Sequence, residues 1–147
     1  MKTCSSEFLQ IRGRRLHVRI WGSEAAPLLV LLHGWCDVSA SWQFVVDALE
    51  RDWRIVAPDW RGFGLSEGNN DAYWFPDYIA DLDALLLHYS PNDPVRLVGH
   101  SLGGNAGTLY AGIRPERIEK LVNLEGLGLR LYMPEEAAER YANWLDQ

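Results

Sequence analysis

The sequence predicts an α/β fold: a mostly parallel sheet with helices on both faces. Three observations support it. After two opening strand-like runs, strand and helix patterns alternate strictly along the 147-residue chain, as crossover-connected parallel strands do. Leu28 to Leu32 is apolar at every position, as a strand buried on both faces requires. The run Val95-Arg96-Leu97-Val98 leads through Gly99-His100-Ser101-Leu102-Gly103-Gly104 into a stretch of small residues that lets a helix lie close on a sheet.

Phe8 to Ile11 and Leu16 to Trp21 flank a turn at Gly13 and read as a hairpin. Trp42, Val45, Val46 and Leu49 fall at i, i+3, i+4 and i+7, one helical stripe, with Ser39 or Ser41 as its cap. Arg54 to Ala57 is a short strand stopped by Pro58. Ile79, Leu82, Leu85, Leu86 and Tyr89 form a second stripe, opened by Pro76 and closed before Pro91. Leu65 to Trp74 is polar and rich in Gly and Asn, a surface loop. Val95 to Val98 is a strand, Gly103 to Ile113 a helix ended by Pro115, and Ile118 to Leu124 the last strand. Gly126-Leu127-Gly128 breaks the pattern. Pro134-Glu135-Glu136 opens a final helix with Ala137, Tyr141, Trp144 and Leu145 along one face.

The net charge of −6 argues against nucleic acid and anionic membranes as partners. No apolar run is long enough to span a bilayer, and no secretory signal opens the chain. The two cysteines, Cys4 and Cys36, are too few for a disulfide framework or a zinc site, and a cytoplasmic setting is expected. Cys36 reads as a small hydrophobe. Of the seven tryptophans most belong in a core, while Trp35 is a candidate for a pocket mouth.

G-x-S-x-G between a strand and a helix is a nucleophile elbow. A serine on so tight a turn needs neighbours without bulky Cβ atoms. The turn holds the Ser101 hydroxyl at the positive end of the following helix. Three other segments fit. Leu31-Leu32-His33-Gly34-Trp35 places a backbone N–H at the carboxyl edge of the sheet, where open α/β sheets bind ligands. Asp59-Trp60-Arg61-Gly62-Phe63-Gly64-Leu65-Ser66 is a tight turn that an Asp59–Arg61 ion pair could brace. Glu125 ends the sixth strand at the same edge, as a catalytic acid or a solvated turn residue.

These four segments, in this order, resemble the alpha/beta-hydrolase superfamily, in its single-domain esterase, lipase and dehalogenase-like branch. The resemblance implies a sheet in the order 1-2-4-3-5-6 with an antiparallel second strand. Residues 1–147 would form a single incomplete domain, with a core over 8–129 and the start of a lid or cap over 130–147; the last two strands of the family sheet are absent. It implies Ser101 as nucleophile, an oxyanion hole made by the amide of Trp35 in the His33-Gly34-Trp35 turn and the amide of Leu102 after the nucleophile, and no cofactor or metal. The substrate class is a small ester-type molecule, cleaved through an acyl-serine.

In that family the histidine follows a later strand. Some members place the acid after the sixth strand, where Glu125 stands; the dehalogenases among them carry Asp where this chain has Ser101. None of the four histidines reads as a base for Ser101. His17 lies in the second strand, His33 in the oxyanion turn, and His88 at a helix end, while the His100 side chain points away from its neighbour. The chain alone is therefore expected to turn over little. The alternative function is a non-catalytic interaction module. Its sixth strand would be an open edge that pairs in a homodimer or with a complementing C-terminal fragment.

Overall fold

The computed structural model describes residues 1–70, 72–126 and 134–146. Six strands form one sheet: β1 (Cys4–Ile11), β2 (Arg14–Trp21), β3 (Leu28–Leu32), β4 (Arg54–Pro58), β5 (Val95–His100) and β6 (Ile118–Leu124). Their order is β1-β2-β4-β3-β5-β6. β2 is antiparallel to β1 and β4, and the remaining pairs are parallel. The helices are α1 (Gln43–Ala48), α2 (Phe75–Tyr89), α3 (Leu102–Ile113) and α4 (Ala137–Leu145).

The continuous apolar run of β3 divides its side chains between two cores, because successive residues of a strand point to opposite faces. Val30 and Leu32 join Leu82, Leu85, Leu86 and Tyr110 beneath α2 and α3. Leu29 and Leu31 join Trp21, Trp42, Val46, Ile55 and Ala57 beneath α1. Neither half of the run could be polar without a buried, unpaired group.

The stripe beginning at Trp42 folds differently from its reading. Ser39–Trp42 is a 3₁₀ turn and only Gln43–Ala48 is α-helical. Neither Ser39 nor Ser41 caps it; the Ser41 hydroxyl instead donates to Asp37. Trp42 and Val46 are buried, but Val45 is 42% exposed, since one helical turn and a half cannot cover the whole sheet face. The proposed Asp59–Arg61 pair is also corrected. Asp59 binds His17 at 2.8 Å, and Arg61 reaches across to Asp81 on α2 through two contacts of 2.6 Å. Trp21, Trp42 and Trp60 are core residues, whereas Trp35 and Trp74 are exposed. The break at Leu127-Gly128, the core boundary at 129, the beginning of the cap and the Trp144 side chain lie outside the described residues. On α4, Tyr141 and Leu145 are exposed.

Candidate active site

The site is the carboxyl edge of the parallel strands, and the tightest turn there follows β5. Ser101 has φ 48° and ψ −111°, a left-handed conformation costly for any residue with a Cβ. The surroundings enforce it. The Ser101 N–H donates to the Leu124 carbonyl at 2.9 Å, and the Asn105 N–H donates to the Ser101 carbonyl at 2.9 Å. The turn is thus tied to β6 on one side and to the first turn of α3 on the other. Two glycines make the approach possible. A Cβ on Gly99 would strike the Gly103 carbonyl, and one on Gly103 would strike the backbone of Leu32.

The turn after β3 lies against this elbow. A Cβ on Gly34 would stand 2.9 Å from His100 Nδ1 and 3.3 Å from Ser101 Cβ. The main chain just past Gly34, with the Trp35 N–H, therefore runs beside the serine. Leu102, the first residue of α3, follows the serine directly. Trp35 itself is 62% exposed and stands edge-on to Phe63 at 5.1 Å.

His33 is fully buried behind the turn. Its Nδ1–H donates to the Gly34 carbonyl at 2.7 Å and its Nε2 accepts the Trp60 N–H at 2.9 Å. Those partners fix a neutral tautomer, and burial holds its pKa below the ordinary value. The ring thus welds the turn after β3 to the turn after β4.

Glu125 follows β6 with φ 62° and is exposed, one step beyond the His100–Leu124 register pair. Asn123 holds this corner, a residue the sequence reading passed over. Its side chain accepts the Gly126 N–H at 2.7 Å and donates to the Gly126 carbonyl at 2.6 Å and to Thr108 Oγ1 at 2.9 Å. An Asn three residues before a Gly was the available signal, since Asx side chains close turns of this kind.

Ser101, Gly34, Leu102 and Glu125 are thus brought to one corner, with Trp35 at its outer rim and His33 beneath. Among the described residues no imidazole hydrogen-bonds the Ser101 hydroxyl. His17 and His33 are bound to other groups. His88 is exposed on α2, and His100 lines a cleft of about 220 Å³ with Asp37, Trp42, Val45 and Leu124. Nor does any group of His, Cys, Asp and Glu there suit a metal ion.

An α/β sheet of this order, with a strained serine at the β5–α3 turn, agrees with the family model that the sequence matches. Residues 27–147 match the alpha/beta hydrolase fold model, and the chain belongs to that family. It is 32% identical to a serine hydrolase-like protein of Danio rerio across 97% of this chain and 44% of that protein. It is 35% identical to epoxide hydrolase 4 of Mus musculus across 75% of this chain and 31% of that protein. Among solved structures it is similar to the thioesterase domain from the curacin biosynthetic pathway, with a TM-score of 0.81 and 27% identity, covering 99% of this chain and 53% of that one. The chain spans less than half the length of these two curated relatives. No described helix is long and apolar enough to cross a membrane.

Proposed function

We propose that this chain carries the nucleophile and oxyanion hole of a serine hydrolase that cleaves an ester-type bond through an acyl-serine. The single observation behind it is the strained Ser101 at φ 48° on the β5–α3 turn. A hydroxyl held in so costly a conformation, at the positive end of a helix, is arranged for attack rather than for turn formation. Ser101 attacks the carbonyl carbon. The N–H groups of Trp35 and Leu102 receive the negative oxygen of the tetrahedral intermediate. Each such donor is worth about 3 kcal/mol in the transition state. Glu125 orients the base. Trp35 and Phe63 line the entrance for a small ester.

The reading needs a base that none of the described imidazoles supplies, because a serine hydroxyl without one is almost fully protonated at neutral pH. The names of the Danio rerio and curacin-pathway proteins, a serine hydrolase-like protein and a thioesterase, agree with acyl chemistry at a hydroxyl. The test is hydrolysis of p-nitrophenyl acetate by the 147-residue protein beside Ser101→Ala. The two are expected to differ little. Rapid turnover by the chain alone, lost in Ser101→Ala, would show that the base lies within it.

A second reading rests on a different observation: Val122 and Leu124 on β6 and Phe44 and Val45 on α1 are all 42% exposed or more. This part of the sheet takes a second copy of the chain or a complementing segment as its cover.

A further inference from the structure

Away from Ser101 the fold assembles another serine, imidazole and carboxylate. Ser6 lies on β1, His17 on β2, and Asp59 directly after β4. In the antiparallel register Ser6 faces Arg19 and Phe8 faces His17, so Ser6 and His17 are diagonal neighbours on one face of the sheet. His17 Nε2 lies 3.0 Å from Ser6 Oγ, and His17 Nδ1 lies 2.8 Å from Asp59 Oδ2. The imidazole is wholly buried and Asp59 is 2% exposed, while Ser6 is open to solvent.

Charge and tautomer follow from the partners. Burial alone would raise the Asp59 pKa. The N–H groups of Leu65 at 2.9 Å and Ser39 at 2.6 Å outweigh it and hold the carboxyl below its ordinary range. An ionised acceptor on one side places the imidazole proton on Nδ1, which leaves the Nε2 lone pair toward the Ser6 hydroxyl. That is the role order of a serine hydrolase triad. The Phe8 ring, 5.2 Å from the imidazole, limits its rotation. Arg19, opposite Ser6, has a buried Nε with no acceptor; its Nη1 donates to Cys4 Sγ at 3.3 Å.

We propose that Ser6 is a second acyl-accepting serine, activated by His17 and Asp59, that reacts with small activated esters independently of Ser101. Ser6 Oγ bonds to the ester carbonyl carbon while its proton passes to His17 Nε2. The tetrahedral intermediate then expels the leaving alcohol, which takes that proton, and the acyl group remains on Ser6. Water, deprotonated by the same nitrogen, adds to the acyl carbon; the bond from that carbon to Ser6 Oγ then breaks, Oγ takes the proton back from His17 Nε2, and the carboxylic acid leaves.

The experiment uses Ser101→Ala, so that the elbow contributes nothing. The folded protein is treated with p-nitrophenyl acetate, quenched in acid and mapped by tandem mass spectrometry, with Ser5 as internal reference. Ser5 is exposed, adjacent, and has no imidazole partner. Acetylation of Ser6 is expected to run roughly a hundredfold faster than that of Ser5, the usual scale of general-base assistance, and the ratio should collapse to near one in urea. His17→Gln should lower the Ser6 rate to that of Ser5 with Ser5 itself unchanged. Equal rates at Ser5 and Ser6 in the folded protein would overturn the proposal. So would a Ser6 advantage that survives both urea and the loss of His17. Neither result bears on the Ser101 reading, which this protein cannot report.

Discussion

His33 is the residue whose surroundings make the firmest demand. Its Nε2 must stay unprotonated to accept the Trp60 N–H, and its carbonyl receives the Trp60 indole N–H at 2.9 Å. Burial, first among its influences, holds the ring below the usual 6.5, although the Gly34 carbonyl and Asp59 pull the other way. The folded pKa is therefore depressed. Above pH 6.5 both folded and unfolded rings are neutral and the stabilisation is present. As pH falls below 6.5 the unfolded chain takes up a proton that the folded chain refuses, and stability is lost. Asp59 is also depressed, so it acts in the same direction, but only below its ordinary 3.8. The urea midpoint is accordingly expected to fall between pH 7.5 and pH 5.5. His33→Gln keeps an acceptor but no titrating ring, so it should start lower at pH 7.5 and change less across the same range. A wild-type midpoint that is flat or rises on acidification would contradict the neutral, buried ring.

At the level of elements, α2 is pinned to the turn after β4 by a buried charge. Arg61 lends Nε and Nη2 to the two oxygens of Asp81, each at 2.6 Å, and Nη1 stands 3.3 Å from Asp77. The hydrogen bonds to Asp81 raise the Arg61 pKa further. Asp81 is 1% exposed, so truncation of Arg61 leaves a buried carboxylate with only Arg12 Nη1, at 3.6 Å, as its cation. Arg61→Met is expected to cost about 3 kcal/mol in urea unfolding. Arg61→Met with Asp81→Asn should regain part of that loss, since the stranded charge is then gone. A cost of under about 1 kcal/mol for the single change would place the pair among ordinary surface bridges.

This pin marks the boundary of what the sequence makes legible. The strands, the long stripe of α2 and the elbow before α3 each depend on residues close in the chain, and periods of 2 and 3.6 reveal them. Arg61 and Asp59 lie two positions apart and bear opposite charges, which invites a local pairing. The fold instead sends Asp59 to a histidine on β2 and Arg61 to a helix, contacts that no local pattern encodes. The same is true of α1, whose length is set by how much of the sheet face it must cover, and of the Asn123 bracket. At the candidate site, Ser101, Gly34 and Leu102 were legible because the turn needs glycines at fixed places. The Ser6–His17–Asp59 array was not, because its members come from two strands and the turn after a third.

For the whole molecule, the two sheet faces are unequally covered. α2 and α3 seal one side, with Leu82, Leu86 and Ala106 fully buried. On the other side α1 protects only the part over β3 and β4. There β5 and β6 expose Val98 and Val122 beside Trp53 in an open cleft of about 310 Å³, and Val122 and Leu124 are 50% and 42% exposed. β6 is also a sheet edge, so its outer N–H and C=O groups are available to another strand. A continuous apolar surface beside an open edge favours association, while the net charge of −6 opposes it between like copies. The balance makes a specific expectation for sedimentation equilibrium. Weight-average mass should rise with concentration, and rise further with salt, because a screening length of about 10 Å at 0.1 M weakens the repulsion and leaves the apolar contact intact. Val122→Lys with Leu124→Lys should abolish the rise at every salt concentration. A self-association that weakens as salt is added would instead place charged groups, such as Arg96, Lys120 and Glu119, at the contact, and the apolar face would then have no part in it.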